Sequence, residues 1–206
     1  MGWMIQEEGK GQILKRKLIR HRVSLTYPEI VDLENKEVEK TINDLIQEEI
    51  YKMIVEQGYE EDYTKEFWGE YKVKLKENNI LSMLIYINSY SKGAAHGLTA
   101  VKAINVDLIS GKTYELQDLF VKNGVYIEKI NEIIKEEIVE KDIPLLVEFE
   151  TIDKKQDFYL TEDAVIIFFQ LYEYTPYAYG IPEFSIPYAV LADLIDESSP
   201  MKVLIA

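Results

Sequence analysis

Two helix-forming segments of nearly the same sequence constrain the fold of this chain more than any other feature. Residues 42–50 read INDLIQEEI and residues 130–138 read INEIIKEEI, so six of nine letters agree at a separation of 88 residues. In both segments the apolar residues follow the i, i+3, i+4 spacing of a helix with one buried face. The recurrence indicates a duplicated unit. Composition alone is the competing explanation, because amphipathic helices draw on the same few residue types.

The segments after each helix strengthen the first explanation. Gly58 is a natural stop for the first helix, and residues 71–90 then alternate as a hairpin that turns at Asn78-Asn79. After the second helix, the strands DFYL and AVIIFFQLYEY form a second predicted hairpin, which aligns Tyr174 with Tyr90. Each hairpin then enters a loop that closes with glycine.

The remaining strands are predicted from alternation and turn residues. Residues 12–27 predict one long, partly exposed strand before the first helix, which Asn35 can cap. Residues 98–108 and 113–116 predict a further hairpin that turns at ISGK.

We therefore predict an α+β fold of two similar strand–helix–hairpin subdomains, with helices packed on antiparallel sheets. The predicted subdomains are residues 10–95 and 96–206. The apolar helix faces should be buried against the strands at residues 80–90 and 165–172.

Composition and charge exclude several classes of protein. The chain has no cysteine, so it has neither disulfides nor a thiolate site. The net charge of −14 argues against a nucleic-acid partner, because phosphate binding needs a positive field. No apolar run approaches the roughly 20 residues of a membrane span, and the N-terminus lacks the apolar core of a signal peptide. These features favour a cytoplasmic protein or a piece of a longer one.

The charge is unevenly distributed along the chain. Six Lys and Arg and no acid lie within residues 10–22, which leaves 17 bases against 37 acids, or −20, elsewhere. Such a basic strand could pair with another subunit. Charged edge strands more often prevent pairing, so we predict a monomer.

Two loops leave comparable strand ends and are the candidate binding site. The first, SYSKGAAHGLT, contains Ser91, Gly93, His96 and Gly97. Its small residues would let a partner approach closely. The second, TPYAYGIP, contains Pro176, Tyr177, Tyr179 and Gly180.

The aromatic residues around the second loop are predicted to divide into two pairs. Tyrosine offers a large, rigid contact area with a polar tip. We expect Tyr177 and Tyr179 to be exposed, and Tyr172 and Tyr174 to be structural.

His96 is the residue on which an enzymatic alternative depends. Metal binding would need partners at a ligand spacing, and none is present; the other histidine, His21, lies in the basic strand. No catalytic residues, metal or cofactor are therefore predicted. The alternative is a hydrolase acting on cell-wall glycans, in which His96 would work with a carboxylate. A His96 ring that bonds only backbone would contradict that alternative.

The sequence also resembles known bacterial domains. The run GAAHGLTAVKAINVDLISGKTYELQDLF, followed by FYLTEDAVIIFFQLYEYTPYAYGIPEFSIPY, resembles the domain of unknown function 3298, with its aHG loop and aromatic PYA-x-G loop. The preceding YPEIVDLENKEVEKTIND resembles the companion domain of unknown function 4163.

The resemblance implies a non-catalytic module. The same pair of domains occurs in the lysozyme-binding ectodomain of the anti-sigma-V factor and in the accessory region of a peptidoglycan deacetylase. It therefore implies envelope sensing outside the cytoplasm, with a lysozyme-like protein or a peptidoglycan fragment as partner. The chain shows no sigma-binding segment, membrane helix or deacetylase domain, so compartment and signalling role stay open.

Overall fold

The computed structural model describes residues 11–122 and 125–205. A five-stranded sheet in the order β1-β2-β3-β4-β5 forms the first half of the molecule, and a three-stranded sheet in the order β6-β7-β8 forms the second. The first sheet consists of β1 (Gln12–Arg20), β2 (Val23–Val31), β3 (Glu66–Glu77), β4 (Ile80–Tyr90) and β5 (Leu98–Asp107), with helix α1 (Lys36–Glu56) between β2 and β3. All of its strand pairs are antiparallel except the short parallel contact of β2 with β3.

The second half is built around a helix and short strands. It contains α2 (Val125–Glu140), β6 (Phe158–Leu160), β7 (Ala164–Phe168), β8 (Glu183–Pro187) and the short helix α3 (Tyr188–Leu191). Single turns of 3₁₀ helix span Leu116–Leu119, Ala192–Leu194 and Pro200–Val203. The mixed α+β fold with two sheet subdomains confirms the predicted fold class.

The predicted helix faces are buried as the spacing indicates. Asn35 caps α1, where its side chain accepts from Glu37 N and Val38 N. Apolar residues of α1 share a core cluster with the inner face of β4, whereas α2 contributes to a second cluster with β7 and β8. The α1 residues are Val38, Ile42, Ile46, Ile50, Met53 and Ile54, and the fully buried α2 isoleucines are Ile130 and Ile134.

The N-terminal strand prediction is wrong in one respect. Residues 12–27 form two strands, because the chain reverses at His21 and Arg22, where Arg22 has a φ of 63°. β1 and β2 then pair antiparallel along their whole length, with Pro28 inside β2. The basic stretch up to Arg20 lies in β1, at one edge of the sheet, while Lys10 lies outside the described residues.

Two further strand predictions need correction. Residues 113–116 do not form a hairpin with β5, because a single bridge joins Val106 to Thr113 before the chain turns into the 3₁₀ helix at Leu116. β7 ends at Phe168 rather than continuing to Tyr174.

β5 belongs to the first sheet, although it lies within the predicted second subdomain, residues 96–206. The predicted boundary at residues 95 and 96 lies in the loop between β4 and β5, and the two strands pair over ten positions, from Ile80 with Asp107 to Ser89 with Leu98.

The two sheets are joined by buried polar groups. Ser82 Oγ of β4 donates to Asn105 Oδ1 of β5 at 2.6 Å and accepts from Leu160 N of β6 at 2.8 Å. Asn105 Nδ2 donates to Phe158 O at 2.8 Å. Because Ser82 and Asn105 are buried, these bonds replace water and fix the position of β6 against the first sheet.

Candidate functional site

The first predicted loop is a tight turn at the end of β4. Ala94 N donates to Ser91 O at 3.0 Å, and Gly93 has a φ of 89°. A side chain at Gly97 would lie 2.7 Å from Ser89 O, so the loop closes against the backbone of β4. Hydrogen bonds from Ser91 and Thr64 lower the pKa of Asp62 to about 2, which connects this loop to the segment after α1.

The second predicted loop is held by its own backbone. Tyr179 N donates to Pro176 O at 2.9 Å, and Gly180 N donates to Tyr177 O at 3.1 Å. The buried Thr175 hydroxyl donates to Gly180 O, which closes the loop. Gly180 has a φ of 88°, a conformation that favours glycine.

The two loops meet at His96. Its ring stacks on Tyr177, with ring centroids 4.1 Å apart and planes inclined by 23°. Nδ1 lies 2.9 Å from Gly97 O, and Nε2 lies 3.0 Å from the Tyr172 hydroxyl. Because a carbonyl can only accept, Nδ1 donates to Gly97 O, and in the neutral ring Nε2 accepts from Tyr172. One imidazole of the first loop therefore orients two tyrosines, Tyr172 and Tyr177, of the segment that contains the second loop.

The structure brings one predicted residue of each loop into contact. His96 and Tyr177 are in direct contact, and Tyr177 and Tyr179 are exposed, as the sequence indicated. Tyr174 is partly buried against Phe149 and Phe169 and is structural, again as expected.

Tyr172 is the exception among the tyrosines. It is 45% exposed, has a φ of 67° and contacts both His96 and Tyr177. The prediction that Tyr172 is a structural residue is wrong, because β7 ends at Phe168 and Tyr172 lies beyond the strand. Alternation along a strand therefore no longer sets the direction of its side chain.

Trp68 is a surface residue that the sequence analysis missed. It is 46% exposed on β3, whereas its neighbour Phe67 is buried against α1. Trp68 therefore faces away from the helix, and a side chain at Gly97 would lie 3.9 Å from its ring. The sequence signal that could have indicated its exposure is the pair of glutamates, Glu66 and Glu70, two positions to either side of Trp68.

The strand register extends this exposed face on both sides of Trp68. Trp68 pairs with Ser24 of β2 and with Asn88 of β4, and Asn88 pairs with Thr99 of β5. The Thr99 hydroxyl donates to Asn88 Oδ1 at 2.7 Å. We call Trp68, His96, Tyr172, Tyr177 and Tyr179 the aromatic surface.

The surroundings of His96 bear on the enzymatic alternative. Within the described residues its ring nitrogens bond a carbonyl and a phenol, and no carboxylate bonds to it. Because of the contact with Tyr172, the His96 ring does not bond backbone alone. No group of three or more His, Cys, Asp and Glu residues in the described part of the chain could hold a metal ion.

Two parts of the chain match the models of known protein families. Residues 117–189 match the model described as a protein of unknown function, DUF3298, and residues 15–99 match the model described as deacetylase PdaC. The chain carries a DUF3298 domain behind a PdaC-like domain. This confirms the C-terminal resemblance and shows that the N-terminal segment is PdaC-like.

One relative and two structures extend these matches. The chain is 27% identical over 198 residues to the anti-sigma-V factor RsiV of Bacillus subtilis (strain 168), covering 88% of this chain and 68% of RsiV. A crystal structure of a DUF3298 family member from Bacteroides fragilis matches with a TM-score of 0.66 at 18% identity, covering 94% of this chain and 96% of the other. One from Pseudomonas aeruginosa PAO1 matches with a TM-score of 0.67 at 15% identity, covering 93% and 96%. These two structures share the fold.

In the described residues, no helix is long and apolar enough to cross a membrane.

Proposed function

We propose that this chain is a non-catalytic binding module of the bacterial envelope that recognises a lysozyme-like protein through the aromatic surface. The observation that carries the proposal is the contact between the two loops at His96, which brings Tyr172 and Tyr177 together on one exposed face. Two loops on opposite faces could not have formed such a surface.

The residue types suit a protein interface. Trp and Tyr supply most of the binding energy at many interfaces, because they bury a large area and lose little side-chain entropy. Trp68, Tyr172, Tyr177 and Tyr179 are each between 38% and 46% exposed, so each offers a ring face that a partner can cover.

The role of His96 in this proposal is to position its neighbours. Stacking restricts the Tyr177 ring, and the bond to Tyr172 restricts the other tyrosine. A surface that is already ordered loses less entropy on binding, which increases affinity.

The similarity to RsiV supports the envelope and partner assignments, because the two chains align over most of this one. Peptidoglycan fragments are the other candidate ligand. Ring faces also stack on sugars, so both ligands belong in the test.

The test is calorimetric titration of the chain with a c-type lysozyme and, separately, with soluble peptidoglycan fragments. We expect lysozyme to bind and Tyr177→Ala to weaken binding by about thirtyfold, the equivalent of about 2 kcal/mol. His96→Ala should weaken binding less, because it loosens the tyrosines without removing their rings.

Tyr51→Ala is the matched control. Tyr51 is 64% exposed on α1, on the opposite side of the first sheet from Trp68, so its removal should leave the affinity unchanged. Binding of lysozyme with equal affinity by wild type and Tyr177→Ala would contradict the proposed surface. Binding of peptidoglycan fragments alone would contradict the proposed partner.

A further inference from the structure

The free edge of β5 is bonded by other parts of the protein at Val101, Asn105 and Asp107, but at neither outward backbone group of Ala103, which lies between them. β5 is the last strand of the first sheet, so one of its edges has no neighbouring strand. Gln170 fills the first position, because its side-chain amide accepts from Val101 N at 3.0 Å and donates to Val101 O at 2.7 Å. Further along, Tyr114 N donates to Asn105 O and Asp107 N donates to Lys112 O, both at 2.9 Å.

Ala103 is the position left open between Val101 and Asn105. In an antiparallel pair, every second residue turns its backbone groups away from the partner strand. Val101 and Asn105 do so, and the register of β5 with β4 is continuous between them, so Ala103 does so as well. Among the described residues, none supplies a hydrogen-bond partner to these outward groups of Ala103.

A cavity of about 160 Å³ lies at this position. Ala103 lines it together with residues of the segments before and after α2. Two ion pairs border it: Lys102 with Asp157 at 2.7 Å, and Lys155 with Glu115 at 3.0 Å. An unpaired backbone amide and carbonyl therefore share one polar cavity with charges of both signs.

We propose that this cavity binds a short peptide with free termini, whose amide completes the edge of β5 at Ala103. An extended peptide bond presents one N–H and one C=O, which match the two outward groups of Ala103. Gln170 already makes the same pair of bonds with Val101, two residues away, so the edge accepts an amide in this geometry.

The charged groups select the termini of such a peptide. The Lys155 side chain is 70% exposed and can turn from Glu115 to a terminal carboxylate. Glu115 is then available to a terminal ammonium. The volume suits a dipeptide with small side chains. This site is separate from the aromatic surface, so the inference does not depend on the proposed function.

The test is a titration of the ¹⁵N-labelled chain with L-alanyl-L-alanine, followed by amide NMR. We expect saturable shifts centred on the Ala103 amide at dipeptide concentrations up to about 10 mM. Alanine, which has no amide, and N-acetyl-alanyl-alanine amide, which has no charged termini, should each bind at least about tenfold more weakly. Absence of shifts at Ala103, or equal binding of all three probes, would overturn the proposal.

Two variants test the residues separately. Lys155→Gln should weaken dipeptide binding about tenfold, whereas Lys154→Gln, the exposed neighbour that does not line the cavity, should leave it unchanged. Ala103→Pro removes the outward N–H, which is tolerable on a free edge, and should abolish binding. A melting curve checks that Ala103→Pro folds. If it does not fold, the comparison of Lys155→Gln with Lys154→Gln tests the proposal. Equal affinity in Lys155→Gln and Lys154→Gln would overturn the proposal.

Discussion

Arg22 shows how much structure a single side chain can organise in this protein. It lies at the β1–β2 turn, and its terminal nitrogens donate to Tyr59 O, Asp62 O and Lys65 O at 2.9, 2.7 and 3.2 Å. The guanidinium also lies 4.4 Å from the ring centre of Tyr59. The Nε atom of Arg22 is buried and has no hydrogen-bond partner among the described residues. The side chain is therefore held by the bonds of its two terminal nitrogens.

Arg22→Ala should therefore lower the free energy of unfolding by about 2–4 kcal/mol, because three backbone carbonyls lose a charged donor. Both residues occupy the same left-handed conformation, so backbone strain does not change. Arg20→Ala is the control, since Arg20 is exposed and, among the described residues, donates only to Ile19 O, and it should cost less than about 0.5 kcal/mol. Urea denaturation measures the free energy of unfolding of both variants. An equal decrease in Arg22→Ala and Arg20→Ala would contradict this role for Arg22.

At the scale of elements, side-chain amides take the place of missing strands at two edges. Asn43 of α1 accepts from Ile30 N and donates to Ile30 O, both at 2.8 Å, where β2 has separated from β3. Gln170 does the same for Val101 of β5. Each amide supplies the donor and acceptor that a neighbouring strand would supply, so each attaches one element to the edge of another.

Gln170→Ala should expose the edge of β5 at Val101. We expect the Val101 amide to exchange faster with solvent and the free energy of unfolding to fall by about 1–3 kcal/mol, because two buried backbone groups lose their partners. Gln117→Ala removes an exposed amide whose one bond within the described part of the chain is to Glu115, so it should change neither quantity. Unchanged exchange at Val101 in Gln170→Ala would show that the edge does not depend on this side chain.

At the scale of the whole molecule, tyrosines lie where the two sheets face each other. Tyr159 of β6 is buried, and its hydroxyl donates to Glu183 of β8 at 3.0 Å. Tyr86 of β4 packs against the same cluster of apolar residues. Burial, followed by the charges of Glu183 and Glu70, raises the pKa of Tyr86 to about 12. Burial and Glu183 likewise raise the pKa of Tyr159.

These shifts predict a loss of stability in alkaline solution. The unfolded chain releases tyrosine protons near pH 10, whereas folded Tyr86 keeps its proton up to about pH 12. Between these values the folded state binds more protons, so the free energy of unfolding falls as the pH rises.

Tyr86→Phe and Tyr159→Phe should each make the decline above pH 10 less steep, because phenylalanine has no proton to release. Denaturant unfolding at several pH values between 8 and 11 measures the slope. Tyr51→Phe, at an exposed position, should leave it unchanged. A decline as steep in all three variants as in wild type would contradict this account.

The sequence by itself determined the features that depend on neighbours along the chain. The apolar spacing of residues 42–54 fixed which face of α1 is buried, and Asn35 fixed where that helix begins. The hairpin at Asn78-Asn79 and the exposure of Tyr177 and Tyr179 were also local, because turn residues and a proline decide them. The sequences of the two loops were sufficient to identify His96 as a candidate residue. They did not indicate that its ring contacts Tyr172.

Tertiary structure decided what depends on groups far apart in the chain. His96 meets Tyr172 across 76 residues, and Gln170 meets Val101 across 69. β7 ends at Phe168 in an apolar run that would suit a longer strand. The chain reversal at Arg22 is held by three backbone carbonyls that follow α1 in the sequence. No pattern of residues near Arg22 could predict these partners. A strand edge or a ring stack is completed by whichever group the fold brings to it, so only the packed chain could show which groups those are.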